Sequence, residues 1–430
     1  YEALFDAYGV HRVQTLDEMA DTLELFIAGR RAPAGGLASV HDSGGERAMF
    51  IDAAADAGVR FAEISETTTK RLAETLEEGL DPLNPLDAWG TGNDAEQIFL
   101  GSMEALLEDE DTAALAFVVD LTKEEESDGG YLGIAQEAFR RTGKPYMVLS
   151  NMTSTIDPDD VAVLRAVGIP VLEGTDSGLA AIRHLFDHRH FRARPTVAPP
   201  APPAEEVRER WRSRLTSGAP LDEFEGLSLL SDFGVPVVRA ERAFSETEAT
   251  RAAHRLRWPV AVKTAVPGME HKSDAGGVKL NVGTPEAMKA AYRDLVHRLG
   301  AEVVVAEMAP AGVELALGIV RDAQFGPLVL VAAGGVLVEI MADRRLALPP
   351  LDEGRARALV DGLAVRPLLD GVRGEPAADV DAVARAIAAL SVLAEDLGDV
   401  LEAVDVNPLI AGPGGCVAVD ALVIPRAAAG

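Results

Sequence analysis

Residues 269–280 read MEHKSDAGGVKL. They bring an imidazole (His271), an ammonium (Lys272), a carboxylate (Asp274) and two glycines (Gly276 and Gly277) into one short stretch. Just upstream, WPVAVKTAVPG is apolar enough for a buried strand running into a loop, and it sets Lys263 at the strand end. A lysine beside a glycine loop can reach a triphosphate, because glycines let backbone N–H groups approach phosphate oxygens. An imidazole on that loop can attack phosphorus as a nucleophile. The competing reading is a hairpin with a solvated lysine, and on spacing alone the two stand level.

Three further stretches carry groups suited to phosphate chemistry. GIVRDAQFGP holds Arg321 beside Asp322 at a strand end. A guanidinium there can clamp phosphate oxygens, although such neighbours more often form a surface ion pair. DVNPLIAGPGGCVAVD puts Asn407 and Asp420 at the ends of two neighbouring strands, with Glu402 and Asp405 close by. Their oxygens are hard donors suited to Mg²⁺, yet Asn-Pro by itself is a turn signal. Ser43-Gly44-Gly45 precedes a helix at 46–57. A helix N-terminus offers free N–H donors and partial positive charge to an anion, but a tight strand–helix connection is the commoner reason for one Gly-Gly pair. Among the eight histidines, His184, His188 and His190 read as solvated, having no acid or cysteine cluster at ligand spacing. His254 and His297 fall in surface-type helices. Only His271 shares a loop with phosphate-binding candidates. No Walker loop, dinucleotide-binding glycine fingerprint or Ser-His-Asp arrangement is present.

The elements that would position these groups fall into two patterns. QTLDEMADTLELFIAG places Leu16, Met19, Leu23 and Phe26 at helical spacing, stopped by Gly29. From there to residue 192, strands such as AALAFVVDL and KPYMVLSNM alternate with helices such as ERAMFIDAAADAG. That alternation predicts a parallel sheet covered on both faces, a flavodoxin-like α/β domain over 31–192. RPTVAPPAPPAEE is proline-rich and reads as a semi-rigid spacer, with the linker placed at 193–220. Beyond it the pattern becomes α+β, with helices at 353–363 and 379–397 and paired strands EVVVAEMAP, VELALGIVRD, PLVLVAAGG and VLVEIMA. Ser245 and Glu248 are spaced for a capping box. Residues 1–30 are expected to be a helical remnant of a preceding domain.

Composition bounds the partners. The chain has 430 residues, 48% of them hydrophobic, and carries 69 acids against 40 bases for a net charge of −29. Such a surface repels nucleic-acid backbones and anionic lipid, so neither is an expected partner. Anionic ligands must be gripped locally. The single cysteine, Cys416, excludes an intrachain disulfide and fits a reducing cytoplasm. The longest apolar stretch, FGPLVLVAAGGVLV, is too short to span a bilayer.

Taken together, VAVKTAVPGMEHKSDAGGVKL, VELALGIVRDAQFGPLVLVAAGGVLVEIMAD and DVNPLI…VAVDA resemble the ATP-grasp half of the nucleoside-diphosphate-forming acyl-CoA synthetases. These are the relatives of succinyl-CoA synthetase and ADP-forming acetyl-CoA synthetase. SGGERAMFIDAAADAGV, NPLDAWGTG and KPYMVLSNM resemble their flavodoxin-like ligase-CoA domain, so the likeness covers essentially the whole chain. It implies a flavodoxin-like domain followed by an ATP-grasp domain of two subdomains over 221–430. It also implies a phosphohistidine relay that turns carboxylate, CoA and ATP into acyl-CoA, ADP and phosphate. On this resemblance Lys263, Arg321, Gly276 and Gly277 would hold nucleotide phosphates and Glu307 would lie at the adenine hinge. Asn407 and Asp420 would bind Mg²⁺, and His271 would carry phosphate. Ser43, Gly44 and Gly45 would steady a primary phosphohistidine.

The sequence departs from the family in two places. The family's N-terminal CoA-binding domain and its Ser-His-Thr-Gly-type loop have no counterpart, so a CoA-binding region of the same protein or a separate subunit is an expected partner, alongside homo-oligomerisation. Ala403 stands where many relatives carry an acid, with Glu402 either a shifted substitute or irrelevant. Two other readings remain at this point: a ligand-sensing regulatory module of a protein acetyltransferase, and an ATP-grasp ligase joining a carboxylate to an amine. Acetate, other short acids and hydroxycinnamates all stay open as the acid.

Overall fold

The computed structural model describes residues 1–122, 130–267, 275–300, 302–335, 343–372 and 374–427. His271 and Lys272, and the expected strand VLVEIMA (336–342), lie outside them. The chain divides into two compact units, Gly9–Pro195 and Thr196–Gly430, the second including Tyr1–Tyr8 with helix α1 (Glu2–Tyr8).

In the first unit, five strands form one parallel sheet: β1 (Gly36–His41), β2 (Leu86–Asp87), β3 (Thr112–Val118), β4 (Tyr146–Ser150) and β5 (Val171–Glu173). Their order is β2-β1-β3-β4-β5, the flavodoxin order. β1, β3 and β4 are buried at every residue, as a parallel sheet covered on both faces requires. Alternate side chains feed two cores, one with Val40, Leu115, Phe117 and Val148, the other with Leu37, Ala116, Val118 and Leu149. The helices are α2 (Leu16–Ile27), α3 (Gly44–Ala57), α4 (Glu66–Thr75), α5 (Ala95–Glu108), α6 (Gly130–Arg141), α7 (Pro158–Ala166) and α8 (Thr175–Ala193).

Helix α2 corrects two expectations. It packs on α8 and β5 within this unit and is not a separate remnant. Of its expected apolar stripe, Leu16, Met19 and Leu23 are exposed and only Phe26 packs, half-buried, against the core, whereas Glu18, Asp21, Thr22 and Leu25 are buried. The physical reason lies at the open edge of β5. Val171 N–H donates to Glu24 Oε1 at 2.7 Å and Glu173 N–H donates to Asp21 Oδ1 at 3.1 Å. Side-chain carboxylates thus satisfy the edge donors that a further strand would otherwise take.

The second unit opens with α9 (Glu205–Thr216), which sends Trp211 and Leu215 into the core. The stretch at 193–220 is therefore a spacer only ahead of this helix. Next come α10 (Glu223–Asp232), β6 (Ala240–Ala243), α11 (Glu246–Leu256), β7 (Val260–Thr264), β8 (Val278–Val282), α12 (Pro285–Leu299) and β9 (Val303–Glu307). The strands form an antiparallel sheet, β6-β9-β7-β8, backed by α11 and α12. The apolar GVPVV stretch contributes a single bridge, Val237 to Ala418, and the regular strand starts at Ala240. Ser245 caps α11 by accepting from Glu248 N–H, but Glu248 reaches back to Phe244 N–H, so the expected box is shifted by one residue.

A second antiparallel sheet follows, built from β10 (Val313–Asp322), β11 (Gly326–Ala333), β12 (Arg344–Ala347), β13 (Leu401–Gly412), β14 (Gly415–Ala418) and β15 (Leu422–Pro425). Its order is β12-β11-β10-β13-β14, with β15 also on β13. The helices α13 (Glu353–Asp361), α14 (Arg366–Leu369) and α15 (Val380–Leu397) complete the unit. Leu315, Leu317, Ile319, Val404 and Val406 join Ile387, Leu390 and Leu393 of α15 in the core. Strand alternation therefore turns Glu314, Gly318 and Asp405 to the opposite face. Cys416 on β14 is buried, its thiol directed at Ala382 O, and burial pushes its pKa up to about 11.

Candidate functional site

Lys263 lies on β7 inside a protein environment. Its ammonium is 2.7 Å from Glu223 Oε1, and the two side chains are only 7% and 0% exposed. It also donates to the carbonyl of Val419 at 2.5 Å. An ammonium has three donors, and protein acceptors among the described residues take two of Lys263's. A buried ion pair needs such extra hydrogen bonds to offset its desolvation. Glu223 opens α10, where Asp222 and Glu225 form a full capping box. Arg242 pairs with Asp222, and Arg214 holds Glu225 at 2.9 Å, so the helix start that delivers Glu223 is fixed on several sides.

The glycine pair sits at the same end of the β7–β8 hairpin as Lys263. Lys263 is opposite Val278, and Thr264 N–H donates to Gly277 O at 2.9 Å. Gly276 has φ +64°, a left-handed backbone that a side chain would strain. Arg298 grips Ala275 O and Gly276 O at 3.1 and 2.7 Å. Asp294 ties Arg298 and Lys279 together, and those hydrogen bonds, Arg298's first, hold its carboxyl down at about 2.

The candidate metal donors come together through register. Asp405 opposes Leu422 and Leu409 opposes Ala418, which sets Asn407 across from Asp420. Asn407 lies inside the long strand β13, not at its end as the sequence suggested. Asp405 shares its face of the strand. Asp405 is open to solvent in part, yet desolvation first, and then the charge of Asp420, raise its carboxyl above the usual range. Two carboxylates that repel one another in this way, with the amide oxygen of Asn407 beside them, are a donor set that fits a divalent cation. Because Val419 precedes Asp420, the Lys263 ammonium is tied to the same turn. Glu402 does not join them: it sits at a bulge in the β13–β15 pairing, between Leu401 and Ala403.

The remaining candidates are placed less centrally. Glu307 ends β9 and pairs with Arg239, Nε to Oε2 at 3.2 Å, while Glu307 N–H donates to Arg239 O. Arg321 is three residues from Gly318, on the face opposite Asp405, and donates to Gly398 O at 2.8 Å at the end of α15. A cation there suits the helix C-terminus, so the structure gives Arg321 a capping contact and does not bring it to Lys263. Glu314, which sequence reasoning passed over, is exposed beside Gly312, Gly334 and Gly335 in a cavity of about 460 Å³. Glu223 was also missed. Its signal was the Asp222-x-x-Glu225 capping pattern, which marks the helix start but not its tertiary partner.

Ser43, Gly44 and Gly45 fall where expected, at the start of α3 and the carboxyl end of β1. Ser43 Oγ already accepts from Glu46 N–H at 3.4 Å. A Cβ on Gly44 would meet Asp87 Oδ2 at 2.7 Å. Asp42 and Glu46 are raised, first by burial and also by the charge of Asp120, while Tyr131 donates to Asp42 at 2.7 Å. A cavity of about 810 Å³ opens here between Asp42, Asp120, Trp89 and Tyr131. The flavodoxin order puts this end of the sheet at its topological switch point, where such folds bind ligands. Helix N–H groups beside raised carboxyls suit a group that is anionic at one end and donates hydrogen bonds at the other.

The model for an ATP-grasp domain matches residues 215–424. Acetate–CoA ligase (ADP-forming) I of Archaeoglobus fulgidus is 31% identical over 433 residues, covering 98% of this chain and 61% of that protein. A trans-feruloyl-CoA synthase from an unknown prokaryotic organism is 28% identical over 97% of this chain and 59% of its own length. The beta subunit of acetate–CoA ligase (ADP-forming) I of Pyrococcus furiosus is 33% identical over 51% of this chain and 97% of that subunit. The chain belongs to the ADP-forming acyl-CoA synthetase family. It spans about three-fifths of the length of the longer relatives.

Proposed function

We propose that this chain is the nucleotide-binding and phosphate-relay portion of an ADP-forming acyl-CoA synthetase, acting on a carboxylic acid, CoA and ATP. The observation that carries this is the buried Lys263, tied to Glu223 and to the turn before Asp420 at the mouth of the hairpin that bears His271. Lys263's remaining N–H and the backbone around Gly276 and Gly277 would receive nucleotide phosphates, and Glu307 would face the adenine. Asn407, Asp420 and Asp405 would hold Mg²⁺, which when bound neutralises phosphate charge. His271 would accept the phosphoryl group at a ring nitrogen, releasing ADP. At the other unit, α3 N–H groups at Ser43–Gly45 would meet the phosphoryl oxygens of a second phosphohistidine, and the carboxyls beside them its ring N–H.

CoA and the acid would be bound with a further region, in the same protein or a separate subunit; a separate beta subunit among the relatives supports that division. Relatives named for acetate and for feruloyl-CoA leave the acid open. Homo-oligomeric assembly and a cytoplasmic setting complete the reading; the buried free thiol of Cys416 is compatible with the latter. Among the described residues, no helix is long and apolar enough to cross a membrane. The test is incubation with γ-labelled ATP and Mg²⁺. Acid-labile, base-stable label is expected on the chain and is expected to vanish in His271→Ala; label that persists there removes His271 from the relay. A longer protein with the CoA-binding region that still formed no acyl-CoA would remove the enzyme assignment.

A further inference from the structure

A second anion-attracting place exists in the first unit, far along α8 from the start of α3. A cavity of about 370 Å³ lies between the end of α2 and the last turns of α8, walled by Arg30, Arg31, Arg189, Arg192 and His188 over Phe26 and Leu185. No carboxylate lines it among the described residues. In a chain of net charge −29, four guanidiniums around one concavity are a local reversal of sign.

Two of the four are held without being neutralised. Arg30 donates to Lys144 O and Phe139 O, both at 3.0 Å, and lies 3.5 Å over the Phe139 ring. Arg189 donates to Pro33 O and Gly35 O at 2.6 and 3.0 Å. Carbonyl acceptors fix a guanidinium's position and leave its unit charge uncompensated. Arg31 and Arg192 are exposed and have no hydrogen-bond or ion-pair partner among the described residues. Of the acids nearby, Asp111 pairs directly with Arg60 at 3.0 Å and reaches Arg189 only through its charge, and Glu18 faces His184 and Arg183. Burial lowers the pKa of Arg30, and burial, then the charge of Arg60, lower that of Arg189 against a smaller opposing pull from Asp111.

We propose that this cavity binds a phosphate monoester. The arginines would take the phosphate oxygens, the pairing that guanidinium geometry favours, and the ester's apolar part would lie on Phe26 and Leu185. The test uses the chain labelled with ¹³C at histidine, with the His188 Cε1–H signal assigned by its absence in His188→Gln. Titration with phenyl phosphate is expected to shift that signal saturably, and inorganic phosphate to bind more weakly for want of the apolar contact. Arg31→Gln/Arg192→Gln alters only exposed side chains and is expected to weaken binding about tenfold or more, each lost charge-assisted contact being large enough for that. An unchanged curve in the double variant overturns the proposal, as does a shift reproduced by sodium chloride alone. Co-sedimentation with phosphatidylglycerol vesicles without a phenyl phosphate shift would assign the patch to a lipid surface and overturn it too.

Discussion

Removing the Lys263 ammonium would leave Glu223 charged and buried. Lys263→Met is therefore expected to cost about 3–5 kcal/mol in urea unfolding, the usual penalty for breaking a buried pair. Lys263→Met/Glu223→Leu should recover most of that stability, yet both variants should lose ATP binding by calorimetry. A double variant that bound ATP normally would take Lys263 out of the site. Asp405 gives a test of opposite sign. Its folded pKa is raised, so the folded protein loses stability as pH climbs from the unfolded value through the folded one. Asp405→Asn should thus raise Tm at pH 7 by about 2 °C, the gain fading below pH 4, while weakening Mg²⁺-dependent nucleotide binding. Lys263 was legible as a strand-end lysine. Glu223 was not, because 40 residues of chain separate the pair and only tertiary folding joins them.

At the scale of elements, helix α2 carries the clearest lesson. Its spacing announced a helix correctly. Its apolar stripe said little of orientation, because Asp21 and Glu24 turn toward the β5 edge to accept hydrogen bonds from its backbone N–H groups. Glu24→Ala would strand Val171 N–H and remove one of the partners of Arg165, which Glu24 holds at 2.8 Å and which Glu173 and Val171 O would still hold. A loss of about 1–3 kcal/mol in the first unit is expected, with faster hydrogen exchange at Val171; unchanged exchange would show that water replaces the carboxylate. Asp222→Ala should cost about 1–2 kcal/mol through the lost cap and, by loosening the start of α10, weaken ATP binding as well. The parallel strands were legible because runs such as AALAFVV are buried throughout. The one-residue shift at Glu248 was not, since Ser-x-x-Glu fits either acceptor geometry.

For the whole molecule, charge and order dominate. A net charge of −29 opposes the approach of a nucleotide polyanion. Raising NaCl from about 50 to 300 mM should therefore speed ATP association in stopped flow by roughly two- to threefold through screening. A slower rate would show that the local cations govern the approach. The alternation of strands and helices, then its loss past the prolines, revealed the two kinds of architecture. Which residues meet across the second unit was not legible, because it depends on the β13 register, where one bulge excludes Glu402 and the pairing of 405 with 422 brings in Asp420. The buried Cys416 has a practical consequence. With its thiol at about 11, only on the order of one molecule in ten thousand is thiolate at pH 7. The chain is then nearly silent to maleimides. A pair of introduced cysteines, one in each unit, would carry fluorophores without background, and their separation would report directly whether nucleotide changes the distance a phosphoryl group has to travel.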